Sequence, residues 1–218
     1  PDDFVKLFVK KAVENGIDII RIFDALNDVN NLKVAMEATK NAGAIASGTI
    51  SYTTSPVHTH AKYVEMVKEL KEMGASTICI KDMAGIMGPQ EAYDMVSAIK
   101  DAVPGMPIDL HTHSTTGLAF MTYLKAVEAG VDIIDTAISP FSGGTSQPAT
   151  ETLAYALRQL GYEVDINDKA AKEMADYFKT VRDGFIADGT LMPKSMATDT
   201  QCLTYQIPGG MLSNLLSQ

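Results

Sequence analysis

An α/β fold built on a parallel sheet is predicted for this chain, with a (β/α)8 TIM barrel ahead of an open doubly wound sheet. Three observations lead there. Short β-branched runs recur, a segment of helical period follows each run, and no two neighbouring runs are joined by a hairpin turn. The runs start roughly 25–30 residues apart, about the length of one βαβ unit, so right-handed crossovers connect them. No GxGxxG or Walker loop follows any run, which weakens the nucleotide-binding open sheet.

The first predicted strand is Ile17–Phe23, followed by Ala44–Tyr52, Thr77–Ile80, Pro107–Thr112 and Val131–Ile138. The helices between them fall at Asn30–Asn41, Thr59–Met73, Pro89–Ala102 and Leu118–Ala129. Apolar residues recur there at i, i+3 and i+4, as in Tyr63, Met66, Val67 and Leu70. Gly16, Gly43, Gly74 and Gly130 stand just before strands, at the position where a helix ends in left-handed backbone. A weak sixth strand is expected after Gly143–Gly144. A barrel needs eight strands, so the expected architecture is an incomplete barrel whose first strands are missing, over residues 1–164. From 165 to 218 the rhythm changes. Asp168–Asp183 reads as an amphipathic helix with Ala171, Met174, Ala175, Phe178 and Val181 on one face and Asn167 or Asp168 as cap. This segment is expected to begin a helical C-terminal extension.

Composition removes several function classes. The 218 residues carry 18 basic and 27 acidic side chains, a net charge of −9, and no basic cluster, so neither nucleic acid nor an anionic membrane is an expected partner. No apolar run approaches a membrane span. The two cysteines, Cys79 and Cys202, form no CxxC, which fits a reducing compartment such as the cytoplasm. No GxSxG elbow is present, so a serine hydrolase is not expected. The chain opens at Pro1 with no Met, consistent with a fragment.

All four histidines lie in two His-Thr-His triplets. On a strand, residues i and i+2 face the same way, so His111 and His113, at the C-terminal end of a predicted strand, can present two imidazoles to one metal ion. His58 and His60 follow Pro56 and lead into a helix, where i and i+2 diverge, and read as a helix start. Lys81 closes its strand at the same end. It could form a Schiff base, pair with substrate charge, snorkel, or, carbamylated by CO2, serve as an anionic oxygen ligand. Asp82 competes for a ligand role, but alternate strand residues face opposite ways, so only one of the two should point inward. Arg21 sits in an apolar strand and needs a carboxylate partner, either substrate or an internal group such as Asp24. The loop Ser142–Ser146 could cradle an oxyanion with its N–H groups or be a plain turn. The 12 methionines read as core filler.

Six strings in order, RIFDALND (21–28), SYTTSPVHT (51–59), IKDMAG (80–85), LHTHSTTG (110–117), DTAISPFSGGTSQPATETL (135–153) and QIPGGMLSNLLSQ (206–218), span nearly the whole chain. Together they resemble the carboxyltransferase domain of biotin-dependent enzymes: the oxaloacetate decarboxylase α subunit, the carboxyltransferase part of pyruvate carboxylase and the pyruvate-binding subunit of transcarboxylase. SPVHT and PGGMLSN look closest to the decarboxylase and transcarboxylase branches. The resemblance implies a TIM barrel whose mouth holds zinc, manganese or cobalt on Lys81 (as carbamate), His111 and His113. It further implies that Arg21 clamps the carboxylate of pyruvate or oxaloacetate. Carboxyl transfer then runs between a 2-oxo acid and biotin through a pyruvate enolate. Biotin must come on a carrier domain or subunit, since the family's biotinyl-lysine segment is absent from this sequence. The family's remaining metal-binding Asp and its proton-exchanging Thr would lie upstream of Pro1 and downstream of Gln218. Partners implied are 2-oxo acid, biotin carboxyl carrier and other complex subunits, in a homo-oligomer, cytoplasmic or peripheral to a membrane complex. Two other readings stay open: a metal-dependent acyl-CoA lyase or aldolase, which shares His-x-His but not the metal-binding Lys, and an inactive assembly module.

Overall fold

The computed structural model describes residues 1–207 and 211, and in it helices and strands alternate with the expected rhythm. The strands are β1 (Ile19–Ile22), β2 (Ile45–Ser51), β3 (Thr77–Asp82), β4 (Ile108–Thr112) and β5 (Ile133–Ile134). The helices before β5 are α1 (Asp2–Glu14), α2 (Lys33–Asn41), α3 (His60–Glu72), α4 (Pro89–Ala102) and α5 (Ala119–Glu128). After it come α6 (Thr150–Gln159), α7 (Asp168–Ala187) and the short α8 (Cys202–Tyr205).

The sheet runs β1-β2-β3-β4-β5, with parallel registers such as Ile20↔Ala46 and Thr49↔Cys79. A strictly sequential order is that of a barrel wall; a doubly wound sheet reverses its order at a switch point. The predicted helix ends hold as well. Gly16, Gly43, Gly74 and Gly130 have φ between 81° and 97°, backbone that residues with a Cβ avoid.

The chain divides into two compact units. The first comprises Pro1–Lys81, Tyr93–Leu110 and Ala126–Ile133. Its core is built by alternation on the strands (Ile50, Ile78, Ile80, Ile108) and by the helical stripe of α3, where Tyr63, Met66, Val67 and Leu70 are all buried. Burial of Met66, Val67 and Leu70 is worth about 1.5–3 kcal/mol each. Thr59 sets the start of α3, its hydroxyl accepting the Lys62 N–H. Strand β2 can lie this close to α3 only because Gly48 is bare: a Cβ there would stand 3.1 Å from Ala75 Cβ and 3.2 Å from Leu70 Cβ. Helix α1 was not among the expected elements. Its acidic first turn (Asp2, Asp3) and Lys11 near its end suit the helix dipole, and Val9 is its buried residue.

The second unit comprises Asp82–Ala92, His111–Lys125 and Ile134–Gln218. Here one expectation is corrected: the described residues after Gly143–Gly144 form no sixth strand. A single parallel bridge, Ala137↔Ala149, leads straight into α6, which buries Leu153, Ala154 and Leu157 at helical spacing. Helix α7 is capped by Asn167, whose side chain accepts the Ala170 N–H, and outlasts its expected end at Asp183. Its start is tied to α6 by two Arg158–Asp168 bonds of 2.7 and 2.9 Å. Phe178 and Phe185 meet Phe141 at 6.2 Å. The QIPGGMLSNLLSQ string lies outside the described residues except for Gln206, Ile207 and Met211.

Candidate active site

His111 and His113 come together in the second unit, as their strand spacing predicts. Their Nε2 atoms stand 3.1 Å apart. The other ring nitrogen of each is committed. His111 Nδ1 lies 2.7 Å from Asp135 Oδ2, and His113 Nδ1 lies 2.6 Å from the Thr145 carbonyl oxygen. A carboxylate and a carbonyl can only accept, so both Nδ1 atoms carry protons, and in neutral rings neither Nε2 atom does. Two lone pairs facing each other at this distance repel. A cation between them, or a proton on one ring, removes the repulsion. Nδ1–H held by a carboxylate or carbonyl with Nε2 turned inward is also the arrangement that metal-ligating histidines adopt. A divalent metal therefore fits this pair. Among the described residues no three His, Cys, Asp or Glu side chains form a metal-sized group.

The loop Ser142–Ser146, expected either to cradle an oxyanion or simply to turn, commits most of its N–H donors to protein carbonyls. Gly143 N–H donates to Gln147 O, Ser146 N–H to Gly143 O, and Thr145 N–H to Ser195 O. With these three N–H groups committed, the plain turn is the better description. The loop instead addresses the histidines: besides the Thr145 carbonyl, the Gln147 side-chain amide lies 3.2 Å from His111 Nε2.

Asp82 is fully buried and turned away from any ligand role. Its carboxylate accepts the N–H groups of Gly85, Ile86 and Met87 at 2.8–3.1 Å and the Thr112 hydroxyl at 2.7 Å. Burial pushes its pKa up, against the pull of Met87, Thr112, Ile86 and Gly85. The residue thus pins the loop after β3 to Thr112, which stands between the two histidines. Tyr123 adds a second tie, its hydroxyl accepting the Thr112 N–H at 3.1 Å and donating to the Asp135 carbonyl.

Arg21 and Lys81 belong to the first unit. The partner that Arg21 needs is Asp109, with which its guanidinium makes a close ion pair, and not Asp24. Asp24 instead accepts the N–H groups of Leu26 and Asp28 and the Asn31 amide, holding the turn after β1. Asn27, at φ 60°, ties that turn to β2 through Ser51 N and Ser51 O. The Lys81 ammonium lies 4.8 Å from the centre of the Phe23 ring, a cation–π contact. His58 and His60 behave as a helix start: His58 Nδ1 meets Ser55 Oγ at 2.7 Å, and α3 begins at His60.

Asp109, Asp135 and Gln147 were not singled out beforehand, and Thr145 only as part of a loop read for its N–H groups. Asp109 was findable, because it precedes His111 by one strand period and is a carboxylate in an otherwise apolar run. Asp135 directly follows β5 (Ile133–Ile134), at the same end of its strand as the histidines. Thr145 acts through its carbonyl, which no side-chain pattern signals.

A family model described as HMGL-like matches residues 8–177. The chain belongs to the HMGL-like family. Over all of its 218 residues it is 53% identical to the B subunit of pyruvate carboxylase from Methanocaldococcus jannaschii, spanning 38% of that protein. It is 45% identical to the methylmalonyl-CoA carboxyltransferase 5S subunit of Propionibacterium freudenreichii subsp. shermanii, spanning 42% of it. A solved carboxyl transferase domain of Rhizobium etli pyruvate carboxylase with pyruvate is 33% identical to this HMGL-like chain. It superposes with a TM-score of 0.89, over 99% of this chain and 37% of the other. The chain spans well under half of each relative. The carboxyltransferase resemblance is borne out, and with it the barrel-type α/β fold. No helix among the described residues is long and apolar enough to cross a membrane.

Proposed function

We propose that this chain supplies the catalytic barrel of a biotin-dependent carboxyltransferase acting on pyruvate and oxaloacetate. The observation that carries the reading is the His111/His113 pair, with both Nδ1 protons held outward and both Nε2 atoms converging. Similarity along the whole chain to the B subunit of a pyruvate carboxylase supports the carboxylase direction over the oxaloacetate decarboxylase α subunit, which the sequence strings had favoured. In this reading Lys81, carbamylated by condensation of its neutral amine with CO2 and loss of a proton, joins His111 and His113 as a metal ligand. A divalent metal, when bound, supplies Lewis-acid stabilisation of negative charge developing on the 2-oxo oxygen of the substrate.

The chain's own residues do the rest. Asp135 and the Thr145 carbonyl keep the imidazoles in the tautomer that offers Nε2. Arg21 provides the guanidinium for the substrate carboxylate, and Asp109 sets its orientation while substrate is absent. Biotin arrives on a carrier domain or subunit, and the remaining subunits and a homo-oligomeric assembly in the cytoplasm complete the reading.

The test is biotin-dependent carboxyl exchange between pyruvate and oxaloacetate by the full-length protein, with Lys81→Ala, His113→Ala and Arg21→Ala beside it. Loss of exchange in all three, with metal lost only from the first two, supports the reading. Full metal retention in Lys81→Ala would favour the acyl-CoA lyase type of site instead.

A further inference from the structure

We propose that the segment Pro193–Asp199, some eighty residues beyond the histidines in sequence, is the positioning element that fixes His113, acting through the loop Gly143–Gln147. Three contacts within the second unit make the connection. The Ser195 carbonyl accepts the Thr145 N–H at 2.9 Å, and the Thr145 carbonyl accepts the His113 Nδ1–H at 2.6 Å. A second clamp lies beside the first: the Asp199 N–H donates to the Thr115 carbonyl at 2.7 Å, two residues past His113. The constraint passes through Thr145, whose N–H and C=O are each held by a hydrogen bond.

The strap is anchored on its own account. Ser195 is buried, and both its N–H (2.9 Å) and its hydroxyl (2.7 Å) donate to the Met192 carbonyl. Its approach to the loop is backbone against backbone. A cavity of about 480 Å3, lined by Thr115, Thr145, Lys194 and Thr198 among others, separates the side chains. Truncating Lys194 or Thr198, whose side chains line this cavity, therefore changes little.

Gly144 is where the approach is closest. A Cβ there would stand 2.2 Å from the Ser195 carbonyl oxygen and 2.6 Å from Met196 C and Cα. These are backbone atoms and cannot swing aside, so any side chain at Gly144 forces strap and loop apart. Its φ of 51° is one that an alanine adopts at modest cost, which leaves the contact as the dominant effect.

The test compares Gly144→Ala with Gly161→Ala in the full chain. Gly161 has φ 88° and nothing within 4 Å of where a methyl would stand, so its substitution brings backbone strain without the contact. Two readouts are taken: the His113 tautomer from imidazole 15N shifts of metal-free protein, and Co2+ affinity by chelator competition. The consequence for Co2+ rests on the function proposed above; the tautomer does not. Wild type and Gly161→Ala should hold His113 as Nδ1–H, while Gly144→Ala mixes tautomers and binds Co2+ about 10–100-fold more weakly. A Gly144→Ala protein with the wild-type tautomer would overturn the proposal. If wild type binds no Co2+, the functional reading fails and the tautomer comparison alone decides on the strap. Should Gly144→Ala not fold, Ser195→Ala carries the same test by deleting the hydroxyl bond to Met192. Faster exchange of the Thr145 amide with a mixed His113 tautomer supports the strap, and no change in either refutes it.

Discussion

Removing the Arg21–Asp109 pair one partner at a time should give unequal losses that do not add. The Asp109 side chain is 5% exposed and that of Arg21 is 30% exposed. Arg21→Met strips the guanidinium from a carboxylate that has little access to water, a change that costs about 3–5 kcal/mol when a buried pair is broken. Asp109→Leu leaves a guanidinium that can still reach solvent, so screening reduces its loss to about 1–2 kcal/mol. In the double variant, apolar side chains of similar volume replace both charges, and the net loss falls back to about 1–2 kcal/mol. The coupling is then about 2–6 kcal/mol, or roughly 30-fold or more in the folding equilibrium. Urea unfolding of the four proteins measures it, provided m is unchanged across the set. Losses that add to within about 0.5 kcal/mol would refute the pair as the reason an arginine is tolerated in β1.

Asp135→Asn should weaken binding of a divalent metal about 10–100-fold, read by chelator competition, because His111 loses the carboxylate that orients it and fixes its tautomer. The Asp132 carboxyl makes a pH prediction. Partial burial raises its pKa, but the Ile108 N–H and Lys100 outweigh that and hold it below the ordinary carboxylate value. A depressed folded value means that its stabilising effect is present above the unfolded pKa, near about 4, and is lost as pH falls through the folded one. The melting temperature of wild type should thus drop more steeply than that of Asp132→Asn on going from about pH 4 to pH 2. Parallel acid limbs would contradict this.

Local periodicity made most of the fold legible. All five strands lie within or beside their expected ranges, Pro89–Ala102 forms as read, and Asn167 caps its helix. Strand β5 is shorter than the run Val131–Ile138, because β propensity marks where a strand can run and not how far a neighbour extends to pair with it. The false sixth strand arose where Gly143–Gly144 read as punctuation, while the residues beyond them, Thr150–Gln159, are mostly helix formers. At the site, strand parity foretold that His111 and His113 would converge. What it could not reveal were partners from other strands and loops: Asp109 for Arg21, Asp135 for His111, and a backbone carbonyl for His113. Asp82 illustrates the same limit from the other side. Its type suggests a ligand, and only its four donors identify it as a structural carboxylate.

The central proposal is that the two converging Nε2 atoms are ligands of one metal ion, which a carbamylated Lys81 also binds. Anomalous diffraction on either side of the absorption edge, from crystals grown with Zn2+ or Mn2+ and bicarbonate, tests it most directly. The account predicts one strong peak about 2.0–2.2 Å from both His111 Nε2 and His113 Nε2, with added density on Lys81 Nζ for a carbamate. A peak at His58 and His60, or no peak beside His111 and His113, would contradict it.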